Sequence, residues 1–389
     1  MAQELSYVII NPYTLYKSRT GVILSRLLSQ SSLELVGAAM YSPSAELVRE
    51  YSKMIVTESD PQDREIQELI RDYILENFMP NPQTGARQRV MVLLFRGENA
   101  VAKTREVVGN IRNRSKGGET IRDTFGDLIY NRDGTVKYFE PAVLAAPSVE
   151  EAKAKLLLWK RYYDRDSGIL SHLIPTYNKP GHQRAVVILK PDNFRFPSGR
   201  PGYVIDMFSR TELAITAIKV HHMSVAEAEE FYAPVREALR EKLKKPAGQK
   251  AKELLESALA IRLDSSREEA LANLIGPLYA EEQFHSIVQF MTGINPKNCP
   301  IDQRTMPGKE KCIILLYEGI DAVRKVREVL GPTDPAKAPP GSIRREFGQS
   351  IMVNAAHASD SPENAEREIK ILKMEQNSFV SLIEEIYGS

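Results

Sequence analysis

Short runs of β-branched and aliphatic residues alternate along this chain with stretches in which apolar positions recur at helical spacing, and the whole succession occurs twice. A period of two marks a strand and a period near 3.6 a helix, so the pattern predicts strands and amphipathic helices in a repeated order. Leu93 to Gly109 (LLFRGENAVAKTREVVG) matches Leu315 to Gly331 (LLYEGIDAVRKVREVLG) in one unbroken register, which also carries Ile121-Arg122 and Phe125-Gly126 onto Ile343-Arg344 and Phe347-Gly348. Further out, Tyr7 to Pro12 answers Val186 to Pro191, Tyr51 answers Tyr232, and Pro141 to Ser148 (PAVLAAPS) answers Asn354 to Ser361 (NAAHASDS). The chain is therefore two copies of one unit.

Each copy begins with a β-branched strand and an amphipathic helix, Gly21 to Leu28 or Gly202 to Ser209. A second strand follows, Glu34 to Tyr41 or Leu213 to His221, and then a helix behind a serine N-cap, Ser44 or Ser224. The third strand, Val90 to Phe95 or Cys312 to Tyr317, leads into a helix stopped by Gly109 or Gly331. A long loop, a short last strand and a terminal helix complete the unit. This is an α+β fold: two tandem ferredoxin-like βαββαβ domains, each an antiparallel sheet covered by helices. The expected boundaries are 1–162 for the first domain, 163–183 for a linker of mostly irregular chain rich in Asp, Gly, Ser, Pro and Asn, and 184–389 for the second. The second copy also carries an insertion at about 234–280. Leu239/Leu243 and Leu255/Leu259/Leu263 mark helical faces there, and Pro246-Ala247-Gly248 predicts a break that makes it a helical hairpin.

Composition narrows the functions available. With 42% hydrophobic and 26% charged residues the chain is of globular type, and 52 Lys plus Arg against 51 Asp plus Glu leave a formal charge of +1, with no global attraction to nucleic acid or anionic membrane. Seven of the basic residues fall between Arg236 and Lys252, but no aromatics interleave with them, so a solvated helix face is favoured over a nucleic-acid site. Two cysteines, Cys299 and Cys312, lie outside metal-ligand spacing and point to a reducing compartment. No run reaches the roughly 18 apolar residues of a membrane span, and the N-terminus has no signal-like h-region; a soluble, cytoplasmic protein is expected.

Chemistry concentrates in the second copy. His357 sits in Asn354-Ala355-Ala356-His357-Ala358-Ser359-Asp360-Ser361, after a strand-like stretch and before a helix start at Pro362, where anions bind free N–H groups. Lys190-Pro191-Asp192 closes the first strand of the same copy; Arg327 lies in the last turns of a helix, with Thr333 just beyond; Pro339-Pro340-Gly341-Ser342-Ile343-Arg344 presents a guanidinium. A lysine, two arginines and a hydroxyl converging on an imidazole are what polyphosphate binding and phosphoryl transfer require, since that catalysis is mostly positioning and charge neutralisation.

Taken together, KPD after strand one, the loop GPTDPAKAPPGSIR, and NAAHASDS followed by ENAEREI resemble the nucleoside diphosphate kinase family. The resemblance covers 184–389 apart from the insertion, and in degenerate form 1–162. It implies that His357 accepts the γ-phosphoryl of a nucleoside triphosphate and passes it to a diphosphate, with Glu368 holding the other ring nitrogen and Ser359 supporting the site. It further implies that Lys190, Arg327, Thr333 and Arg344 contact phosphates, that Lys190 and Asn354 lie near the ribose hydroxyls, and that Tyr232 orients Lys190 or the imidazole. Mg²⁺ would enter on the phosphates, with no protein metal ligands.

Departures are expected at the base: the family's stacking aromatic falls near Gln283, leaving Phe284 one position late, and its aliphatic contact falls on Ile287, just after the insertion. In the first copy Asn11, Leu144 and Pro147 stand for Lys190, His357 and Asp360, while Tyr51, Arg105 and Arg122 remain. Leucine cannot form a phosphoramidate, so the first domain is expected to be catalytically silent and to replace one subunit of the family's usual dimer within a homo-oligomer. A non-catalytic nucleotide-binding or scaffold protein is the competing reading.

Overall fold

The computed structural model describes residues 3–58, 60–112 and 118–388. Ten strands are present among them: β1 (Glu4–Ile10), β2 (Glu34–Tyr41), β3 (Val90–Gly97), β4 (Asp127–Tyr130), β5 (Val136–Glu140), β6 (Val143–Ala145), β7 (His182–Leu189), β8 (Ala214–His221), β9 (Cys312–Ile320) and β10 (Ala356–Ala358). They form two four-stranded sheets, ordered β2-β3-β1-β6 and β10-β7-β9-β8, with β4 and β5 as a separate hairpin. Within each repeat the order is fourth, first, third, second, the ferredoxin-like arrangement, and the first strand, β1 or β7, is one of the two central strands and pairs antiparallel on both sides.

The repetition extends to backbone detail. Ser44 and Ser224 both cap their helices, accepting from Leu47 N and Glu227 N. Asn99 and Asp321 precede the next helices in the left-handed conformation, at φ 54° and 55°, and Gly109 and Gly331 end them at φ 84° and 81°. A left-handed residue stands just before each last strand, Ala142 at φ 62° and Ala355 at φ 69°.

The chain divides into two compact units: residues Met1–Val220, Ile313–Ile369 and Lys373–Ser389, and residues His221–Cys312 with Lys370–Leu372. The first unit holds both sheets. One face of each, carrying Val8, Ile10, Leu93 and Phe95 from one repeat and Val187, Leu189, Ile313 and Leu315 from the other, contributes to a single buried apolar cluster. Equivalent helices, Thr20–Gln30 and Arg200–Met207, meet inside this core through glycines. A Cβ on Gly21 would lie 2.6 Å from Gly202 O, and one on Gly202 would lie 2.4 Å from Gly21 O and 2.3 Å from Ser25 N. The linker is mostly turn and irregular chain, but it is not loose: it opens with a short helix at Tyr163–Asp166, Leu170 and Ile174 are buried, and Asp166, almost wholly enclosed, accepts from Ser44 N and Ser44 Oγ and pairs with Arg87 at 3.2 Å. A buried carboxylate with this many donors fastens the segment, which polar composition alone does not reveal.

In the second unit the insertion is a hairpin of two long helices, Ala233–Leu259 and Ser265–Thr292. Pro246 does not break the first; the reversal lies at 260–264, where Ala260 is left-handed at φ 52° and Asp264 caps the second helix. The hairpin thus extends well past 280. An interior proline removes one backbone donor and costs about 3 kcal/mol in an isolated helix, but packing supplies the compensation here. Gly248 lies against Ala272, where a Cβ would meet the Ala272 Cβ at 2.5 Å, and Gly276 lies against Lys244, so the helices approach closely on both sides of the proline. Several of the basic residues are neutralised within the hairpin, Arg236 and Arg240 by Glu281 and Lys252 by Glu268, while Leu254 and Leu259 remain exposed.

Replacing Gly202 with alanine is expected to destabilise the protein by about 1–3 kcal/mol, because the clash falls on backbone atoms that cannot rotate away and outweighs the helix-propensity gain of about 1 kcal/mol. The midpoint of urea unfolding tests this; an unchanged or raised midpoint would show that the two helices have room to separate.

Candidate phosphotransfer site

The pairing of β7 with β10 sets the position of His357. It lies inside the short strand, not after it, directly across from Ile188. Directly paired residues share a face and alternate residues do too, so His357, Ile188 and Lys190 point to the same side. Ala356 and Ala358, one step away, belong to the buried core. The imidazole is therefore turned from the shared core toward the outer face.

Behind it stands a buried carboxylate. Glu368, on the helix Pro362–Ile371, accepts at Oε1 from His357 Nε2 at 2.9 Å, and its Oε2 accepts from Ser359 Oγ at 2.5 Å. Ser359 Oγ in turn accepts from Val186 N at 2.9 Å, which ties this relay to β7. Three groups in sequence thus fix the ring, and Nδ1 is the nitrogen not engaged by Glu368.

Beyond the end of β7 the residues Lys190 to Asn193 interlock with the loop before β10. Lys190 N donates to Ala355 O at 2.9 Å, Asn193 Nδ2 to the same oxygen at 2.6 Å, and Ala355 N to Asp192 Oδ2 at 3.2 Å. Lys190 Nζ donates to Asn354 Oδ1 at 2.9 Å and to Met352 O at 2.8 Å. Asn354 Nδ2 reaches Thr333 O at 3.1 Å, which brings the Thr333 loop to the same place. Burial pushes the Lys190 ammonium down to about 8, with Arg344 adding to the fall and Asp192 opposing it. Asp192 is itself raised by burial, against the pull of Arg200 and Lys190.

Arg344 spans the gap between helix end and strand, donating to Gly331 O at 3.0 Å and to Ala356 O at 3.1 Å. Arg327 is exposed on the last turn of Ala322–Leu330 and lines a surface depression with Asp360 and Pro362. Lys190, Asn354, Thr333, Arg344, His357, Ser359 and Glu368 are thus joined by contacts or by shared strands, and Arg327 stands beside the chain segment that follows β10. Sequence reasoning passed over Asn193 and Arg200. The Arg200 guanidinium bonds Asp192 Oδ2 at 2.7 Å, Asn193 Oδ1 at 3.0 Å and Phe347 O at 2.8 Å. Asn193 had a signal, its place directly after the KPD motif; Arg200 had none, because it stands outside that motif and its role as a link depends on Phe347, far along the chain.

Tyr232, Phe284 and Ile287 belong to the other compact unit. Tyr232 is buried and ends the helix Val225–Phe231; Ile287 is half-buried. Phe284 has no exposed surface and lies under the Arg236 guanidinium, 4.9 Å from its ring centre. Phe284, one position late for the family's stacking aromatic, is thus a core residue and is not available to a base. One residue along a helix rotates a side chain by about 100°, and that step turns Phe284 from the Gln283 direction into the core.

In the first repeat the register repeats with other side chains. Leu144 pairs with Ile9 as His357 pairs with Ile188, so leucine stands at the place of the imidazole. Ser148 and Ser361 cap the following helices, and the residue that answers Glu368, counted from these serines, is Lys155, paired with Glu151. Among the described residues no cluster of three His, Cys, Asp or Glu could hold a metal ion, and no helix is long and apolar enough to cross a membrane.

A ferredoxin-like α+β scaffold thus presents a carboxylate-held histidine beside a buried lysine, groups that suit a phosphate-bearing ligand. Comparison with known proteins agrees. The family model for nucleoside diphosphate kinase matches residues 257–377. A nucleoside diphosphate kinase of Staphylothermus marinus is 31% identical over 190 residues, 49% of this chain and 92% of that protein, and one of Helicobacter pylori is 30% identical over 187 residues, 48% and 92%. The crystal structure of an NDP kinase from Pyrobaculum aerophilum aligns at 28% identity over 49% of this chain and 94% of that one, with a TM-score of 0.31. The chain belongs to the nucleoside diphosphate kinase family.

The Lys190 side chain is expected to titrate near pH 8 in the free protein, well below an ordinary lysine, because its ammonium is buried beside Arg344. Lysine-selective NMR of the ¹³Cε resonance, assigned with Lys190→Arg, measures it; a midpoint in the usual lysine range would show that the ammonium is solvated.

Proposed function

We propose that this chain is a nucleoside diphosphate kinase that works through a phosphohistidine on His357, with residues 184–389 as the catalytic domain and residues 1–162 as its silent structural partner. The observation that carries the reading is the Ser359–Glu368–His357 relay, set on the same sheet face as Lys190. Glu368 accepts a hydrogen bond from Nε2–H and so keeps the proton on that nitrogen, which leaves the Nδ1 lone pair to attack the γ-phosphorus of a nucleoside triphosphate. The N–P bond forms as the bond from phosphorus to the β,γ-bridging oxygen breaks, and the diphosphate leaves. A terminal oxygen of a second nucleoside diphosphate then attacks the phosphohistidine, the N–P bond breaks, and Nδ1 recovers its lone pair. Lys190, Arg344, Arg327 and the Thr333 hydroxyl neutralise and orient phosphate oxygens, and Asn354 holds Lys190 in place while facing the sugar.

Ammonium, guanidinium, amide and hydroxyl groups suit phosphate oxygens and not a bare dication. Mg²⁺ is therefore taken to ride on the nucleotide, where it would withdraw charge from the β- and γ-oxygens. Two free cysteines suit a reducing, cytoplasmic setting. The common core of the two repeats supports the first as an assembly partner, since without it the apolar face of the second sheet and Gly202 would lie open. Further homo-oligomerisation of the two-repeat chain is part of the same proposal.

Incubation of the protein with γ-³²P-labelled ATP is expected to give a label that is stable to alkali and lost in acid, and His357→Gln is expected to abolish both the label and transfer to GDP. Turnover near the parent level in that variant would remove the mechanism. The pH profile adds a second check. Free-site protonation governs kcat/KM, so kcat/KM should fall as pH rises through about 8, where Lys190 loses its charge, while bound phosphates hold the proton and let kcat persist to higher pH. In Lys190→Arg, which cannot deprotonate in this range, that limb should vanish even if the absolute rate is lower.

A further inference from the structure

The first repeat contains a half-open cleft of about 380 Å³, within the range of small-molecule sites at about 300–1,000 Å³, and its walls include Arg105, Arg122, Thr120, Tyr51, Leu144 and Lys155.

The cations lining it are unevenly satisfied. Arg122, only 9% exposed, donates to Gly109 O at 2.9 Å and to Val143 O at 3.3 Å, and its buried Nε has no acceptor. Arg105 donates to Pro147 O. Among the described residues neither guanidinium has a carboxylate partner, and each has further N–H groups to give from its five. Burial first, and then the neighbouring Arg105, push Arg122 down to about 10, so the two like charges repel each other inside a low-dielectric pocket. Asp60 and Asp123 also reach the cleft and accept from Gln62 N and Thr120 N, and the Asp60 charge opposes part of the fall at Arg122; Glu106 lies at the exposed rim, and Lys155 is neutralised by Glu151.

We propose that this cleft binds the phosphate groups of a small molecule between Arg105 and Arg122, and holds them without passing a phosphoryl on. Two adjacent guanidiniums with free N–H groups form the fork that phosphate oxygens fill, and an anion there relieves the repulsion between them. Transfer is closed off because Leu144 offers no lone pair where the second repeat has His357, and Lys155 stands where Glu368 would fix a ring. The ligand is defined by its phosphates: the sugar-side groups of the second repeat, Lys190 and Asn354, are replaced by Asn11 and Pro141, and Asn11 is turned to Glu140. A nucleoside diphosphate and free pyrophosphate share this chemistry. None of this depends on chemistry at His357.

The chain's single tryptophan gives a local reporter. Trp159 lies on the same helix as Lys155, and its ring is 5.4 Å from that of Tyr51, which lines the cleft. Equilibrium dialysis of the full chain against labelled ADP and against labelled pyrophosphate, together with Trp159 emission under both titrations, tests the site. Two molecules of at least one probe per chain are expected, with Arg105→Glu weakening one of the two by tenfold or more and Arg105→Lys by less. Arg327→Glu in the second repeat should impair transfer and keep the Arg105-dependent site, so failure of the kinase reading and failure of this one are separable. Equal affinity for both probes assigns the site to the phosphates alone, and preference for ADP assigns it to a nucleotide. One molecule per chain for both probes, or two that Arg105→Glu leaves unchanged, would overturn the proposal.

Discussion

The antiparallel pairing of β7 with β10, three residues long, is the contact on which the site depends. It orients His357 outward by parity, since Ala356 and Ala358 on either side enter the core, and a slip of one residue would bury the imidazole and expose two alanines. So short a ladder does not hold its register unaided. The left-handed Ala355 just before it is an uncommon conformation for a residue with a Cβ, and it is held at both ends: Asp192 takes its N–H, while Lys190 N and the Asn193 amide take its carbonyl. The KPDN segment is therefore as much a clamp on the strand as a source of the ammonium.

The first repeat solves the same backbone problem with other residues. Ala142 is left-handed too, but its N–H goes to Glu140 Oε1 at 2.8 Å and its carbonyl accepts from Thr14 Oγ1 at 2.9 Å and Asn11 N at 3.3 Å. Glu140, held by the Tyr73 hydroxyl at 2.7 Å, does for Ala142 what Asp192 does for Ala355. Backbone geometry has thus been retained while the side chains that carry chemistry were exchanged. The packing gives a reason: both sheets contribute to one apolar cluster, and Gly21 and Gly202 touch within it, so a shift in the first sheet would be felt by the second. The other face of the first sheet has its own constraint: Tyr7, Ile9, Val92, Leu94 and Leu144 enter a second apolar cluster with Trp159 and Phe379, so leucine suits the place where the second repeat has His357.

Arg122 and Arg344 mark the border between scaffold and site. Each joins the glycine that ends a helix to the residue just before the histidine or leucine of the last strand, through nearly the same pair of carbonyl contacts. An arginine in this position braces the cleft and still has N–H groups to offer a ligand, so its presence in both repeats follows from structure even where transfer chemistry is gone.

Much of this was legible along the chain because it is periodic or local. Strand and helix succession, the serine caps, the glycine stops and the repeat follow from side-chain spacing and from φ/ψ preferences that act within a few residues, and β2 falls on Glu34–Tyr41 as the pattern predicts. His357, Lys190, Asn354 and Arg344 could be singled out because they stand in dense local motifs. Other features were decided by contacts between distant segments. Pro246 reads as a helix breaker by itself, yet it lies inside a helix because Gly248 and Gly276 let a partner helix approach. The polar linker reads as loose chain, yet Asp166 fastens it through Ser44 and Arg87. Phe284 turns inward and Arg200 joins Asp192 to Phe347 for the same reason. Local pattern specifies what each segment can form, whereas burial and the satisfaction of buried polar groups depend on which segments meet, and that is settled only when the chain closes on itself.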